Sequence, residues 1–311
     1  MSLDVSPVTA PEENQENAVT QTETAPQKSA ADQAAIEQKV GLSAKQKVRR
    51  HKSVVYALRI ALLVAVLGFW EIACTYWFDP FFYSKPSLIW DKLTVWFTDG
   101  TANGSIWMNI SVTLQEAVFG FVLGSLLGII AGIALGRSRL AAEVMQPYIQ
   151  GLNAVPRVVL AALFVIWFGL GMTSKVATAL VLVFFPVFFN AFQGAREVDG
   201  NLINNARILG ASRWDVMKSI VVPSATSWIL ASLHTAFGFA LIGAIVGEYT
   251  GSTHGIGLLI NTAQSSFDSA GVYAGMLIST LLALTAEIVL GGLEKRLLKW
   301  RPQTGNSALQ V

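Results

Sequence analysis

The chain has 311 residues, of which 53% are hydrophobic and 14% are charged, and its net charge is +2. That composition is too apolar for an average soluble domain. The small net charge gives no electrostatic basis for binding nucleic acid, so we expect no nucleic-acid partner. Several apolar runs of about 20 residues instead predict an all-α, polytopic membrane protein with six transmembrane helices and the lipid bilayer as its partner.

The N-terminal part is predicted to be a tail. Residues 1–42 are rich in Ala, Gln, Glu, Thr and Pro and lack aromatic residues, so they cannot bury enough apolar surface to fold. A basic cluster follows at Lys45, Lys47, Arg49, Arg50 and Lys52, which by the positive-inside rule predicts a cytoplasmic N-terminus. We therefore divide the chain into a disordered tail (residues 1–50), a transmembrane domain (51–302) and a short cytoplasmic tail (303–311).

The first two predicted spans are separated by an outer segment. Span one covers residues 54–77, contains the lone Cys74 as an expected packing residue, and ends in an aromatic belt. Residues 79–108 form the outer segment, with a short interfacial helix near 87–97. Span two covers 109–135, and its glycines recur every fourth residue, at Gly120, Gly124, Gly128, Gly132 and Gly136. This row predicts a face for close helix packing, with a pore lining as the alternative.

Span three, residues 141–171, is predicted to break or kink at residues 151–157. Pro156 lacks the backbone N–H that a continuous helix needs. Arg157 is then expected at membrane depth, near backbone groups that the break frees. A charge in that place is a candidate contact of the translocation path. The alternative is an arginine that reaches the inner headgroups or a carboxylate of a partner.

Span four covers residues 176–192, with Pro186 inside it and Asn190 near its cytoplasmic end as a second path candidate. The longest polar interruption follows, within residues 195–223. A helix is predicted to stop there at Gly210, and Ser212 begins a weak capping box that starts a second helix. Pro223 then precedes the next apolar run. This helix–glycine–helix pattern between two spans predicts a docking surface, with an ordinary connector as the alternative.

Span five covers residues 224–246 and is expected to be interrupted at Gly238 and Gly243, and span six covers 271–292, with an outer segment over 248–270 between them. His234 in span five is expected to be a hydrogen-bonded packing residue. Six spans place both termini in the cytoplasm. The basic residues then left outside are Lys85, Lys92 and Lys175.

No motif for catalysis accompanies these spans. The sequence contains no Gly-Lys pair and therefore no P-loop, no HExxH or CxxC pattern, and no GxSxG elbow. We therefore predict no catalytic residue, no metal site and no cofactor in this chain.

The segment around Gly210 resembles the EAA loop of bacterial ABC importer permeases. That loop has the pattern Glu-Ala-Ala, three residues, Gly, nine residues, Ile, one residue, Leu, Pro. At this spacing the chain has Asn204, Asn205, Ala206, Gly210, Ile220, Val222 and Pro223. It departs where Asn204 replaces Glu, Asn205 replaces Ala and Val222 replaces Leu. Further stretches are similar to the nitrate, sulfonate, taurine and bicarbonate branch, namely Val155–Gly171, Phe184–Phe188, Gly247–Tyr249, His254–Gly257 and Leu293–Trp300. In that branch position 116 is often basic rather than Glu116.

The resemblance implies a type I, binding-protein-dependent importer in which this chain is the permease subunit of the bacterial inner membrane. The implied partners are a pair of cytoplasmic ATPase subunits that hold ATP and Mg²⁺, an extracytoplasmic solute-binding protein, and a second permease copy, giving a homodimer. The expected ATPase-coupling residues are Asn204, Asn205, Ala206, Arg207, Gly210, Ala211, Ser212, Trp214 and Pro223. Trp214 would anchor in the partner, or else pack against its own spans. Arg157, Glu116 and Asn190 are the expected path residues.

Two other classes of protein remain open at this point. One is a proton-coupled carrier or channel that uses Glu71, Glu116 and Glu287 as a relay, and the other is a membrane scaffold. The expected substrate is a small anion such as a sulfonate, taurine or nitrate, with a vitamin precursor or an aromatic carboxylate as the alternative.

Overall fold

The computed structural model describes the backbone of residues 30–297 and the side chains of residues 51–292. These residues form helices and no strand. The chain divides into two units, residues 1–66 and 67–311, and the division falls inside the first long helix. The predicted tail over 303–311 and the first 29 residues of the predicted N-terminal tail lie outside the described residues.

The helices follow one another with short connections. In chain order they are α1 Ala30–Tyr76, α2 Pro80–Tyr83, α3 Pro86–Thr98, α4 Ile106–Gly136, α5 Arg139–Ala154, α6 Arg157–Phe168, α7 Met172–Arg196, α8 Gly200–Ile208, α9 Arg213–Val216, α10 Val222–Thr250, α11 Ile256–Ser265 and α12 Ser269–Leu297. Residues 30–50, predicted to be disordered, are helical, because their many Ala, Gln, Lys and Arg residues are good helix formers. The predicted interfacial helix is α3.

Five helical stretches of the described chain are long and apolar enough to cross a membrane: His51–Tyr76, Ile106–Gly136, Met172–Arg196, Arg213–Thr250 and Ser269–Gly292. The pair α5 and α6 makes a sixth span if it is counted as one, although its two helices meet at 86°. Pro156 causes this break, because the residue before a proline is disfavoured in helical conformation and Val155 is extended. The all-α, multi-span prediction is confirmed, with span three as a sharply bent pair.

The glycine row of α4 is a packing face, as predicted. A Cβ at position 132 would lie 2.6 Å from the carbonyl oxygen of Phe188, and one at position 124 would lie 2.7 Å from that of Leu180. The row therefore lets the backbones of α4 and α7 approach more closely than any other residue permits. Gly243 does the same between α10 and Ala179 of α7. The expected interruptions of span five are absent, because α10 continues through Gly238 and Gly243.

These three helices enclose the main apolar core. Its buried members are Ala117, Val183, Val187, Ala236, Phe237, Ala240, Leu241 and Ala244. The beginning of α4, the beginning of α7 and the end of α10 lie at one end of this bundle, which we call the Lys175 end. The opposite end continues into α8 and α9, and we call it the Gly210 end.

Candidate functional site

The Gly210 end carries a compact turn between α8 and α9. Gly210 has φ +89°, a left-handed conformation that glycine adopts without the penalty of a Cβ. The N–H of Ala211 donates to the carbonyl of Ala206 at 3.0 Å, and the N–H of Gly210 donates to that of Arg207 at 3.0 Å. This pair of bonds is the Schellman arrangement that ends a helix at a glycine. The predicted glycine stop is therefore present.

The capping box predicted at Ser212 is also present. The Asp215 N–H donates to the Ser212 hydroxyl at 3.2 Å, and the Ser212 N–H donates to the Asp215 carboxylate at 3.0 Å. The helix that starts there does not stop before span five. A single π-helical turn, Met217–Val221, joins α9 to α10, so Pro223 lies near the start of a long continuous helix. The π-helical turn lies directly before Pro223, whose missing N–H and ring would disturb an ordinary α-helical turn inside a continuous helix.

One face of the turn packs against the bundle. A small apolar cluster of Ala195, Ile203, Val216 and Val221 is buried, and Ala206 and Ala211 are half-buried against it. Ala206 and Ala211 are among the expected ATPase-coupling residues, which would face the partner. They face inward instead, because the Schellman contact brings these two side chains together over the cluster. The turn is therefore held firmly on the ends of α7 and α10.

The opposite face of the turn displays large apolar side chains. Leu209 is 88% exposed, Ile208 83% and Trp214 72%. Trp214 thus points away from its own spans, which excludes the alternative that it packs against them. We call Ile208, Leu209 and Trp214 the apolar tip. Sequence reasoning missed Ile208 and Leu209, although two large apolar residues directly before a glycine helix stop were a usable signal. Exposed apolar patches of this kind mark interaction sites.

The other predicted coupling residues surround the tip. Asn204, Asn205, Arg207 and Ser212 are exposed, and Pro223 is exposed beyond the π-helical turn. The turn thus combines an apolar tip with a polar rim, and this pattern is typical of protein interfaces.

The Lys175 end contains a buried group of charges that the span assignment missed. Glu116 from α4 is 2% exposed, while Lys175 from α7 and Glu248 from α10 are fully buried. The carboxyl groups of Glu116 and Glu248 are neighbours, and both interact electrostatically with the Lys175 ammonium. Lys175 was expected outside the membrane and Glu248 in an outer segment. Both belong instead to long helices whose ends are covered by neighbouring segments, so their charges are hidden from solvent.

Glu248 organises the connection between α10 and α11. Its Oε1 accepts from the Thr113 hydroxyl at 2.6 Å, and its Oε2 accepts from the Gly257 N–H at 2.7 Å. Asn109 adds a third bond, because its Oδ1 accepts from the Gly255 N–H at 2.7 Å. A Cβ at position 255 would lie 2.1 Å from Glu248 Oε1. The glycines of the sequence His-Gly-Ile-Gly therefore let the backbone close around this carboxylate.

The remaining path candidates lie apart from one another. Arg157 is exposed at the first position of α6, and its guanidinium donates to Asn153 Oδ1 at 3.0 Å. Asn190 is half-buried in α7, and its amide donates to the Pro186 carbonyl at 2.9 Å. Glu116 is enclosed by three helices of its own subunit. The structure therefore does not bring Arg157, Glu116 and Asn190 into one site.

The carboxylates of the alternative proton relay are likewise separated. Glu71 accepts from the Ser87 N–H at 3.0 Å and lies 3.5 Å from the Lys85 ammonium. Glu287 lies 3.6 Å from His234. Each of these carboxylates has its own local partners, which differ from those of Glu116.

Comparison with known proteins places this arrangement in a family. The family described as "Binding-protein-dependent transport system inner membrane component" matches residues 124–299, which is more than half of the chain. The chain therefore belongs to that family. In fold, it is similar to a structure described as an amino acid ABC transporter with histidines, with a TM-score of 0.51 at 18% identity, over 69% of this chain and 98% of that chain.

Individual relatives define the branch. The chain is 30% identical to the riboflavin transport system permease protein RibX of Chloroflexus aurantiacus, over 76% of this chain and 88% of that protein. It is 32% identical to the putative aliphatic sulfonates transport permease protein SsuC of Bacillus subtilis, over 66% and 74%. It is 29% identical to the taurine transport system permease protein TauC of Escherichia coli, over 77% and 87%.

The chain is thus the permease subunit of an ABC importer, in the branch that includes the sulfonate and taurine permeases, and a multi-pass protein of the inner membrane. A permease of this family works with an ATPase subunit and a solute-binding protein. ATP is used by the ATPase, and the permease subunit itself carries no cofactor.

Proposed function

We propose that the apolar tip is the surface through which the ATPase drives this permease. The observation that carries the proposal is the exposure of Leu209 and Ile208, the two most exposed large apolar side chains at the Gly210 end, on a turn that is rigidly capped on both sides. Large apolar anchors on a rigid support bind well because little conformational entropy is lost on docking. ATP and Mg²⁺ would bind on the partner subunit.

Co-purification tests this proposal. The Leu209→Glu variant places a charge on the apolar tip without removing any buried contact, so the permease should fold normally but lose the ATPase subunit. Asn201→Glu is the matched control, because it adds the same charge to the exposed first turn of α8, where a helix N-terminus favours an acidic side chain. If Leu209→Glu retained the ATPase as well as Asn201→Glu does, the coupling surface would lie elsewhere.

The proposed coupling surface also implies a membrane topology. A cytoplasmic ATPase places the Gly210 end in the cytoplasm, and the positive-inside rule agrees, because basic residues gather there. They are Arg137, Arg139, Arg196, Arg207, Arg213 and Lys218. Both termini then lie in the cytoplasm, and the Lys175 end faces the binding protein. The proposed transmembrane domain covers residues 51–302 and includes the proposed coupling loop over 195–223.

A second copy of the permease is proposed to complete the path, giving a homodimer. The bent pair α5 and α6 leaves large apolar side chains exposed on α6, including Val158, Val159 and Ile166. Because the 86° bend prevents α5 and α6 from crossing the bilayer as a straight helix, we place them at the subunit interface, with Arg157 and Asn190 on the path. Alternatively, lipid tails cover this exposed apolar face. Cross-linking of single-cysteine variants on α6 distinguishes a second permease copy from lipid.

The proposed substrate is a small anion such as a sulfonate or taurine. It is supported by the names of two relatives, whereas RibX and the formylaminopyrimidine permease ThiX of Halalkalibacterium halodurans favour a vitamin or its precursor. Thermal-shift screening of the cognate binding protein against taurine, alkanesulfonates and riboflavin decides between these classes. Arg157→Gln should then slow the uptake of an anion. An unchanged rate and substrate preference would remove Arg157 from the path.

A further inference from the structure

The buried charges of the Lys175 end do not balance when all are ionised. Glu116 and Glu248 contribute two negative charges and Lys175 one positive charge, which leaves a net charge of −1. All three side chains are at least 98% buried within the described chain, since Glu116 is 2% exposed and the other two 0%. An uncompensated charge in an apolar interior is strongly unfavourable. The site therefore needs one more positive charge.

The hydrogen bonds show where that charge belongs. Both Glu248 oxygens already accept a bond, from Thr113 and from Gly257. The Lys175 ammonium donates to the Leu170 carbonyl at 2.7 Å and lies 3.2 Å from the Ser174 hydroxyl. Glu116 differs, because its Oε2 is buried and has no hydrogen-bond partner among the described residues. Since Glu116 lies beside the Glu248 carboxylate, a hydrogen bond between them requires a proton on one of the two.

The site is suited to a proton rather than to a metal ion. A metal ion such as Ca²⁺ or Mg²⁺ needs six or so oxygen ligands, whereas Glu116 Oε2 is the one carboxylate oxygen of this cluster shown to be buried and free. The nearby Lys175 ammonium would also repel a cation. Among the described residues, no group of three His, Cys, Asp or Glu side chains could hold a metal ion.

A small cavity connects Glu116 with the surface. It has a volume of about 190 Å³ and is lined by Glu116, by the exposed Gln115 and Thr253, and by His254. The Nδ1 atom of His254 is buried without a hydrogen-bond partner in the described chain. The cavity is large enough for several water molecules, which could carry a proton between Glu116 and the solvent at the Lys175 end.

We propose that Glu116 and Glu248 form a proton-binding pair, with Lys175 as its fixed counter-charge and the cavity beside His254 as its access route. The proton makes the cluster neutral and bonds the two carboxyl groups. At alkaline pH the proton leaves, and the buried negative charge weakens the packing of α4 against α10. The titratable groups that face Glu116 are Lys175 from α7, Glu248 from α10 and His254 from the segment before α11. The proposal does not depend on the coupling surface at the other end.

Loss of the proton should also affect the connection between α10 and α11, which Glu248 helps to hold in place. The first turn of α11 is bonded to the Glu248 carboxylate through Gly257, and the segment before it is bonded to Asn109 through Gly255. Loss of the proton should therefore loosen residues 251–257 first.

Infrared spectroscopy and thermal unfolding of the full-length permease in lipid nanodiscs test the pair. At neutral pH the wild type should show the carbonyl stretch of a protonated, buried carboxyl group, and Glu116→Gln should lose it. The amide of that variant can donate to Glu248 at every pH, so its unfolding temperature should no longer fall as the pH rises from neutral to alkaline. Glu143→Gln is the control, because Glu143 is an exposed carboxylate paired with Arg139. It should keep both the band and the pH dependence.

Three results would contradict a protonated carboxyl pair. A band that persists in Glu116→Gln, or a wild type with no such band at neutral pH, would overturn the proposal. So would a wild-type unfolding temperature that depends on Na⁺ rather than on pH when sodium is exchanged for choline. If Glu116→Gln did not fold, the band and its pH titration in the wild type, together with exchange of the acid proton for deuterium, would still decide whether one carboxyl group is protonated.

Discussion

Charged residues are usually exposed and large apolar residues are usually buried, and each end of the bundle departs from one of these two tendencies. The Lys175 end hides three charges among its helices, whereas the Gly210 end displays Leu209, Ile208 and Trp214 to solvent. Hidden charges hold elements of one chain together because they have little freedom to exchange partners. Displayed apolar side chains stabilise nothing within the chain and gain free energy only when a partner covers them. The first end is therefore built for internal cohesion and the second for association.

Removal of Lys175 should have the largest effect on stability. Lys175→Met leaves the two carboxyl groups without their counter-charge and should cost about 3–5 kcal/mol of unfolding free energy, the range for leaving a buried charge uncompensated. Lys92→Met is the control, because Lys92 pairs with Asp268 at 2.6 Å but is about one-third exposed, and it should cost less than about 1 kcal/mol. Denaturant unfolding in mild detergent compares them. Equal losses would contradict the buried role of Lys175.

Disturbing the close packing of α4 against α7 should have the second largest effect on stability. Gly132→Ala places a Cβ 2.6 Å from the Phe188 carbonyl oxygen, so α4 and α7 must separate, at a cost of about 1–3 kcal/mol. Gly238→Ala is the control, since a Cβ there meets nothing within 4 Å and alanine favours a helix. The unfolding temperature should fall for Gly132→Ala and should stay unchanged or rise for Gly238→Ala. A Gly132→Ala protein as stable as Gly238→Ala would contradict the close packing.

The turn itself should respond more mildly. Gly210→Ala forces a Cβ into a left-handed conformation at φ +89° and should destabilise the turn by about 1 kcal/mol. Gly200→Ala, at a helical position with open space around it, serves as the control and should be neutral or slightly favourable. Hydrogen exchange of the amides in α8 should quicken for the first substitution. Unchanged exchange would mean that the Schellman turn is not strained by a side chain.

The smallest effect on stability should coincide with the largest effect on association. Leu209→Ser removes a side chain that is 88% exposed, so it should change the unfolding free energy by no more than about 0.5 kcal/mol. The same substitution should sharply reduce ATPase binding, measured by titration of the ATPase onto permease nanodiscs. A permease that is destabilised but still binds the ATPase would reverse the assignment of this end.

Local features of the Gly210 end could be predicted from the sequence, because a glycine stop and a capping box depend on residues within a few positions of one another. The outward face of the turn could not, since it depends on which residues cover the cluster around Ile203. For this reason the sequence did not reveal that Ala206 and Ala211 pack against that cluster. The π-helical turn before α10 also left no signal, because residues 217–221 read as ordinary helix.

The buried charges of the Lys175 end could not be predicted from the sequence, because the residues that form the group are far apart along the chain. Glu116, Lys175 and Glu248 lie on three different helices. Glycines allow these helices to approach closely, but the sequence does not show which helix packs against each glycine. A charged residue at the edge of an apolar run also resembles the boundary of a span. Lys175 and Glu248 were assigned to the outside on that basis, although other segments of the chain cover them.

Cysteine cross-linking shows which partner each end of the bundle contacts. The native Cys74 is buried and 2% exposed, so Leu209→Cys and Thr253→Cys can each be labelled with a photoactivatable cross-linker in the assembled transporter. Position 209 should cross-link to the ATPase subunit, and position 253 should not, reacting instead with the solute-binding protein. A cross-link from position 253 to the ATPase, or none from position 209, would contradict this prediction.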